Sequence, residues 1–216
     1  MNKSLKNSMM KSYQRSLLIA ITLVLFITAT AMAIEEPKYK VLKSDGDFEV
    51  RQYDSLIVAE TVVDTTDFDE ASNEGFRRLA AYIFGGNKTR QTMAMTSPVT
   101  TEESQKIAMT APVETERTGA SVRVAFTMPS EYTLQTLPVP NDPRITLRTI
   151  PGRTFAVIRF SGRWTEGNFH EHTEELIAWI QNEGLRVTGN PIVARYNPPF
   201  VPSFFRRNEI LIPIAS

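Results

Sequence analysis

Phe48-Glu49-Val50-Arg51-Gln52-Tyr53 alternates apolar and polar side chains, and after Asp54-Ser55 the chain resumes as Leu56-Ile57-Val58-Ala59-Glu60-Thr61-Val62-Val63. Both stretches read as β-strands joined by a two-residue turn. Next, Asp67 stands ready to cap a helix with Phe68, Ala71, Gly75, Phe76, Leu79 and Ile83 at helical spacing, and Gly85-Gly86-Asn87 ends it. The same order returns a hundred residues later. Arg144-Ile145-Thr146-Leu147-Arg148-Thr149-Ile150 turns at Pro151-Gly152 into Thr154-Phe155-Ala156-Val157-Ile158-Arg159-Phe160. A second helix follows, with Phe169, Thr173, Leu176, Ile177 and Ile180 on one face and Gly184 at its end. Strand, strand, helix, with closing strands after each helix, points to an α+β domain of duplicated pattern and not to a doubly wound parallel sheet.

Two further features fill the middle of the chain. Met93-Ala94-Met95-Thr96-Ser97-Pro98-Val99 and Ile107-Ala108-Met109-Thr110-Ala111-Pro112-Val113 are near-copies separated by a polar stretch, and they read as the two strands of a hairpin. Ser121-Val122-Arg123-Val124-Ala125-Phe126-Thr127-Met128-Pro129 is another alternating strand, followed by a loop through Pro138, Pro140 and Pro143. After the second helix come a strand around residues 187–196, the proline-stiffened Asn197-Pro198-Pro199-Phe200-Val201-Pro202, and a last strand over 208–214.

The first 33 residues carry Lys3, Lys6, Lys11 and Arg15 and no acid, then an apolar run over 17–27, then Ala31-Met32-Ala33. That is the make-up of a secretory signal peptide. The run falls short of the about 20 apolar residues of a membrane span, although extension to residue 34 leaves an uncleaved N-terminal anchor as the alternative. Cleavage leaves residues 34–216 as one domain, with 20 basic against 24 acidic side chains, a formal charge of −4. A mildly acidic chain is a poor ligand for nucleic acid. The absence of cysteine excludes disulfides, thiolate metal sites and covalent c-type haem attachment.

Seven collinear motifs carry a resemblance. They are Phe48-Glu49-Val50-Arg51-Gln52-Tyr53; Val58-Ala59-Glu60-Thr61; Tyr82-Ile83-Phe84-Gly85-Gly86-Asn87; Lys106 with the second heptad; Phe126-Thr127-Met128-Pro129; Phe160-Ser161-Gly162; and Tyr196-Asn197-Pro198-Pro199 with Arg206-Arg207-Asn208-Glu209-Ile210. Together they resemble the SOUL haem-binding proteins over nearly the whole of residues 34–216. The resemblance implies a distorted antiparallel β-barrel with two main helices and a pseudo-twofold repeat. It also implies reversible binding of haem or a related tetrapyrrole in an apolar groove beside the first helix and the Pro-Pro loop, without catalysis. The basic positions that contact haem in animal members align here with Asn73, Ala81 and Val201, and a histidine proposed as axial ligand aligns with Gln52.

Other residues are candidates to replace them. Arg77 and Arg78 on the first helix and Arg206 and Arg207 beside the Pro-Pro loop suit propionates, because guanidinium groups pair well with carboxylates. Phe76, Phe200, Phe204 and Phe205 suit the face of a macrocycle. His170 and His172 diverge on their helix and cannot share a metal, so haem is expected without a strong axial ligand and no metal site is assigned. GxSxG, HExxH, P-loop and GxGxxG are all absent, and no catalytic residue is assigned. The expectation is an exported, periplasmic or secreted, non-enzymatic tetrapyrrole carrier. The alternatives are a binder of another amphipathic molecule, lipid or pigment, and a protein-interaction module.

Overall fold

The computed structural model describes residues 34–89 and 104–215, and residues 35–216 form one compact unit. Its main element is a strongly curled antiparallel sheet of nine strands in the order β1-β2-β9-β11-β10-β5-β6-β3-β8. These are β1 (Tyr39–Asp45), β2 (Phe48–Tyr53), β3 (Leu56–Val63), β5 (Val113–Thr118), β6 (Ser121–Thr127), β8 (Ile145–Ile150), β9 (Arg153–Phe160), β10 (Ile192–Arg195) and β11 (Asn208–Ile214). β4 (Asn87–Lys88) and β7 (Val139–Pro140) pair separately. Two helices, α1 (Phe68–Ile83) and α2 (Glu166–Asn182), complete an α+β fold.

The curl comes from two bent strands that share one register. Tyr53 pairs with Arg153 at the end of β2, and Leu56 pairs with Ile150 at the start of β3. The register is therefore the same on both sides of the two turns, where the ladder is interrupted and the sheet bends. Gly152 sits at the bend, where an added Cβ would lie 2.8 Å from the Tyr53 carbonyl oxygen.

Strand alternation sorts the side chains onto two faces. One face lies under the helices and is dry: Val50, Ala59, Val124, Phe126, Ala156, Ile158, Ile210 and Ile212 pack against Phe68, Leu79, Phe169, Leu176 and Trp179. Asp67 caps α1 by accepting from the amides of Asp69 and Glu70, at 3.0 and 2.9 Å. Thr165 caps α2 through the Asn168 amide. Helix α1 lies close on β6 because residue 75 is glycine: a Cβ there would stand 2.5 Å from Val124 Cγ2. The other face mixes a small apolar cluster (Tyr53, Phe155, Val157, Ile192, Ala194 and Leu211) with buried ion pairs.

Both β2–β3 and β8–β9, both helices, β6 and β11 stand where the sequence places them. The heptad hairpin does not. Its first half lies outside the described residues. The second half, 107–112, is extended backbone without a ladder, wedged between the end of α1 and residue 35. Ile107 donates to the Ile83 carbonyl and Ala111 to that of Glu35, and β5 begins only at Val113. The Ile107 and Ala111 donors are thus satisfied by a helix end and by the N-terminal segment. Strand β1 has no counterpart in the expectations because all seven of its residues are exposed, so it has no buried face to impose period two.

Candidate functional site

The segment between β10 and β11 is held rigidly in an unusual shape. Pro198, Pro199 and Pro202 remove backbone freedom, and Ser203–Phe205 forms a single 3-10 turn. Arg206 fastens the loop from inside. Its Nε donates to the Val201 carbonyl at 2.8 Å, its Nη2 to that of Pro199 at 2.6 Å, and its guanidinium lies 4.3 Å from the Trp164 ring. The Ser203 carbonyl accepts from the Gly162 amide at 3.0 Å, tying the loop to the Phe160-Ser161-Gly162 corner. The Arg207 amide donates to Asn197 Oδ1 at 2.6 Å and closes the loop's base.

This rigid loop holds three phenylalanines in solvent. Phe200, Phe204 and Phe205 are 84%, 68% and 71% exposed, and the last two rings meet at 4.4 Å. Beneath Phe204 and Phe205 opens a pocket of about 630 Å³ lined by Asp47, Arg159, Phe160, His172, Glu175, Phe204, Phe205, Arg206 and Arg207, within the size range of small-molecule sites. Its wall is α2 and β9. The resemblance implies a groove beside the first helix as well, but the pocket that adjoins the Pro-Pro loop borders the second.

The candidate residues therefore fall into two groups. Phe200, Phe204, Arg206 and Arg207 belong to the loop, and the last three line its pocket. Phe76, Arg77 and Arg78 lie on α1, over β3 and β6. Phe76 is 39% exposed and sets its edge against Phe126 at 5.4 Å. Arg77 pairs with Glu74 and is otherwise open to solvent. Arg78 reaches Glu74 at 2.8 Å, the Val62 carbonyl at 3.1 Å and Thr61 at 3.3 Å. Arg78 first, then Arg77, hold the Glu74 carboxyl below the usual range.

Arg207 has a buried counter-charge. Glu209, fully buried, accepts from Arg207 Nε at 3.0 Å, from the two terminal nitrogens of Arg51 at 2.8 and 3.2 Å, and from the Tyr196 hydroxyl at 2.8 Å. Arg207 also donates to both oxygens of Glu36, at 3.1 and 2.9 Å, and lies 3.7 Å from the Tyr196 ring. Burial alone would lower the Arg207 pKa, but Glu209, Tyr196 and Glu36 outweigh it and hold the group above its ordinary value. Burial, then the Glu209 charge, pushes the Tyr196 phenol up. The Arg-Arg-Asn-Glu motif thus first builds a buried network. It leaves only part of Arg207 to the pocket.

Arg159 and His172 are among the lining residues that went unassigned in the sequence. Arg159 is exposed on the pocket rim, and its place just before Phe160-Ser161-Gly162 was the available signal. His172 is half-buried and stacks on Phe160, with ring centroids 3.8 Å apart and planes within 14°. His170 faces elsewhere, into a pocket of about 530 Å³ between the two helix starts, beside Phe68, Arg117 and Phe169. Among the described residues no group of three histidine, aspartate or glutamate side chains converges as a metal site.

Comparison with known proteins gives the following. The family model described as SOUL heme-binding protein matches residues 34–213. Heme-binding protein 1 of Xenopus tropicalis is 32% identical over 163 residues, 76% of this chain and 81% of that protein. Human Heme-binding protein 2 is 35% identical over a shorter stretch, 34% of this chain and 38% of its own length. Among solved structures, the EcmrR C-terminal domain aligns with a TM-score of 0.56 at 14% identity, over 82% of this chain and 98% of that one. A hydrolase from Listeria innocua aligns with a TM-score of 0.50 at 12% identity, over 81% and 94%. At such identities these two share the fold alone.

Proposed function

The chain belongs to the SOUL haem-binding family, and from that premise we propose that it is an exported protein that carries or buffers haem, or a related tetrapyrrole, in the pocket under the Pro-Pro loop, without catalysing a reaction on it. The observation that carries this reading is the rigid display of Phe200, Phe204 and Phe205 in solvent, the last two on the wall of an open pocket. Burying a phenylalanine side chain is worth about 1.5–3 kcal/mol, so a fold that spends three prolines and Arg206 to keep three of them out of its core has apolar area ready for a ligand. Because the loop is already held in shape, little ordering entropy opposes binding.

The residues present suit a tetrapyrrole. Phe204 and Phe205 offer apolar faces, and Arg159, with the exposed edge of Arg207, offers positive charge for propionate carboxylates against the opposing carboxylates of Asp47 and Glu175. Haem supplies a redox-active iron when bound, while this chain's residues supply burial, orientation and charge. Export rests on the basic, apolar and small-residue make-up of residues 1–33. The residue found at the N-terminus of the protein recovered outside the cytoplasm tests it, and Ile34 is the expected result.

A haemin titration of residues 34–216 tests the ligand. A saturable one-to-one Soret shift should appear together with quenching of Trp164, which lies directly under Arg206. Changing Phe200 and Phe204 to serine should weaken that binding. A linear, non-saturating response refutes tetrapyrrole binding. The commitment of Arg207 to Glu209 and Glu36 favours one second reading, a less acidic lipid or pigment in the same pocket. Native mass spectrometry of protein from its own compartment separates the two by the mass it carries.

A further inference from the structure

We propose that the Pro-Pro loop docks the folded unit on a lipid bilayer, with Phe200, Phe204 and Phe205 set into the membrane interface. The proposal goes beyond the pocket, because Phe200 is the most exposed of the three and does not line it. Its neighbours Pro199 and Pro202 are also exposed, and Val201 is half-buried, so the apolar surface continues along the loop. Side chains alone do not prepare a segment for lipid. A backbone N–H or C=O that leaves water without a partner is costly, and an ordinary exposed loop leaves those groups to water.

Here most of them are already taken. The Pro198 carbonyl accepts from the Val201 amide at 3.1 Å, and the Pro202 carbonyl from the Phe205 amide at 2.9 Å. The Pro199 and Val201 carbonyls accept from Arg206. The Ser203 carbonyl accepts from the Gly162 and Arg206 amides, at 3.0 and 3.1 Å. Pro198, Pro199 and Pro202 have no N–H to satisfy. The loop thus combines exposed phenylalanines with a backbone largely closed on itself, and both properties suit transfer out of water.

A bilayer is the occupant because of where the rest of the chain joins, which rests on the export reading above. The Glu35 carbonyl accepts from the Ala111 amide and its side chain from the Ser130 amide, while Glu36 accepts from Arg207 through both oxygens. Arg207 follows Phe205 by two residues and shares a pocket wall with it. The apolar run at 17–27, which enters a membrane during export, is therefore attached to the folded unit at the base of this loop. After cleavage the loop remains as a reversible grip. Residues 34–216 carry a formal charge of −4, and Asp47 and Glu175 border the pocket, so apolar insertion and not attraction to anionic headgroups supplies the binding.

The test floats residues 34–216 on a density gradient with phosphatidylcholine vesicles, alone or mixed with phosphatidylglycerol. The parent should rise with both, at low and high salt alike. Phe200→Ser and Phe204→Ser should each weaken partitioning about tenfold, as expected when one phenylalanine is withheld from lipid. Phe84→Ser, which removes an exposed phenylalanine at the end of α1, should leave partitioning unchanged. Phe200→Trp should gain emission that shifts to the blue on vesicles and is quenched by lipids brominated in the acyl chain. Loop variants that float like the parent, or an unquenched Phe200→Trp, overturn the proposal. So does flotation that needs phosphatidylglycerol and vanishes in salt. A parent that does not float but forms a dimer lost in Phe200→Ser also overturns it and gives the surface to a second copy. Export is decided separately by the N-terminal residue, and the tetrapyrrole reading by the haemin titration.

Discussion

Replacing Glu209 by glutamine should cost the fold about 3 kcal/mol, the low end of the range for breaking a buried ion pair. The carboxylate is fully buried and takes four hydrogen bonds, from two arginines and a tyrosine. Glutamine keeps one acceptor oxygen and turns an amide N–H₂ toward guanidinium donors, so at least one arginine loses its partner. Arg51 is only 3% exposed and has little water to fall back on. Two contacts soften the loss: Arg51 keeps Glu49 at 2.5 Å, and Arg207 keeps Glu36. For a domain of this size, that destabilisation corresponds to a fall of roughly 6–12 °C in Tm. Urea unfolding of residues 34–216, followed by tryptophan fluorescence, gives the number directly. Pairing Glu209→Leu with Arg51→Met should cost less than the two single changes summed, since a buried pair replaced by apolar groups no longer strands a charge. A loss below about 1 kcal/mol for Glu209→Gln would refute the argument, because it would mean that water reaches this network and that Arg207 is free for a ligand.

Two further outcomes follow from packing and charge elsewhere. Gly75→Ala puts a methyl 2.5 Å from Val124 Cγ2; overpacking of about 1–3 kcal/mol outweighs the about 1 kcal/mol that alanine gains in a helix, so chemical denaturation should show a net loss, relieved in a Val124→Ala background, and a gain in stability in the parent would sink the close-packing account. Burial, opposed by Arg123 and Arg153 and reinforced by Glu116 and Glu60, holds the Glu114 carboxyl above the usual range. Below that range both folded and unfolded forms are protonated and there is no penalty. As pH rises the unfolded chain releases its proton first, so stability falls until the folded carboxyl titrates too, and then stays at the lower level. Glu114→Gln should remove that fall, and an unaltered slope of Tm between about pH 4 and 8 would contradict it.

What was legible in the chain follows from how each element is stabilised. β2–β3, β8–β9, β6 and both helices bury one face against the dry core, and burial writes period two or 3.6 into the residues. β1 buries no face and left no period. Residues 107–112 show the reverse case: they alternate like a strand, but the Ile107 amide is taken by α1 and the Ala111 amide by Glu35, and among the described residues only the Glu35–Thr110 bridge forms there. The same division holds at the site. The aromatic and basic make-up of residues 200–207 could be read directly, because prolines and exposed phenylalanines are local signals. The role of each arginine could not. Arg206 bonds to carbonyls five and seven residues back, and Arg207 answers a glutamate at 209 and another at 36.

By itself, then, the amino-acid order determined the α+β class, the strand and helix succession, the family, and the loop that presents the phenylalanines, since each depends on contacts between near neighbours or on a periodicity repeated along one element. Only the tertiary structure decided that a pocket beside this loop borders α2, that Glu209 is the buried counter-charge of two arginines, and that His172 lines that pocket while His170 lines another. Those facts depend on which strands become neighbours when the sheet forms, and that pairing joins residues 84 to 110 positions apart.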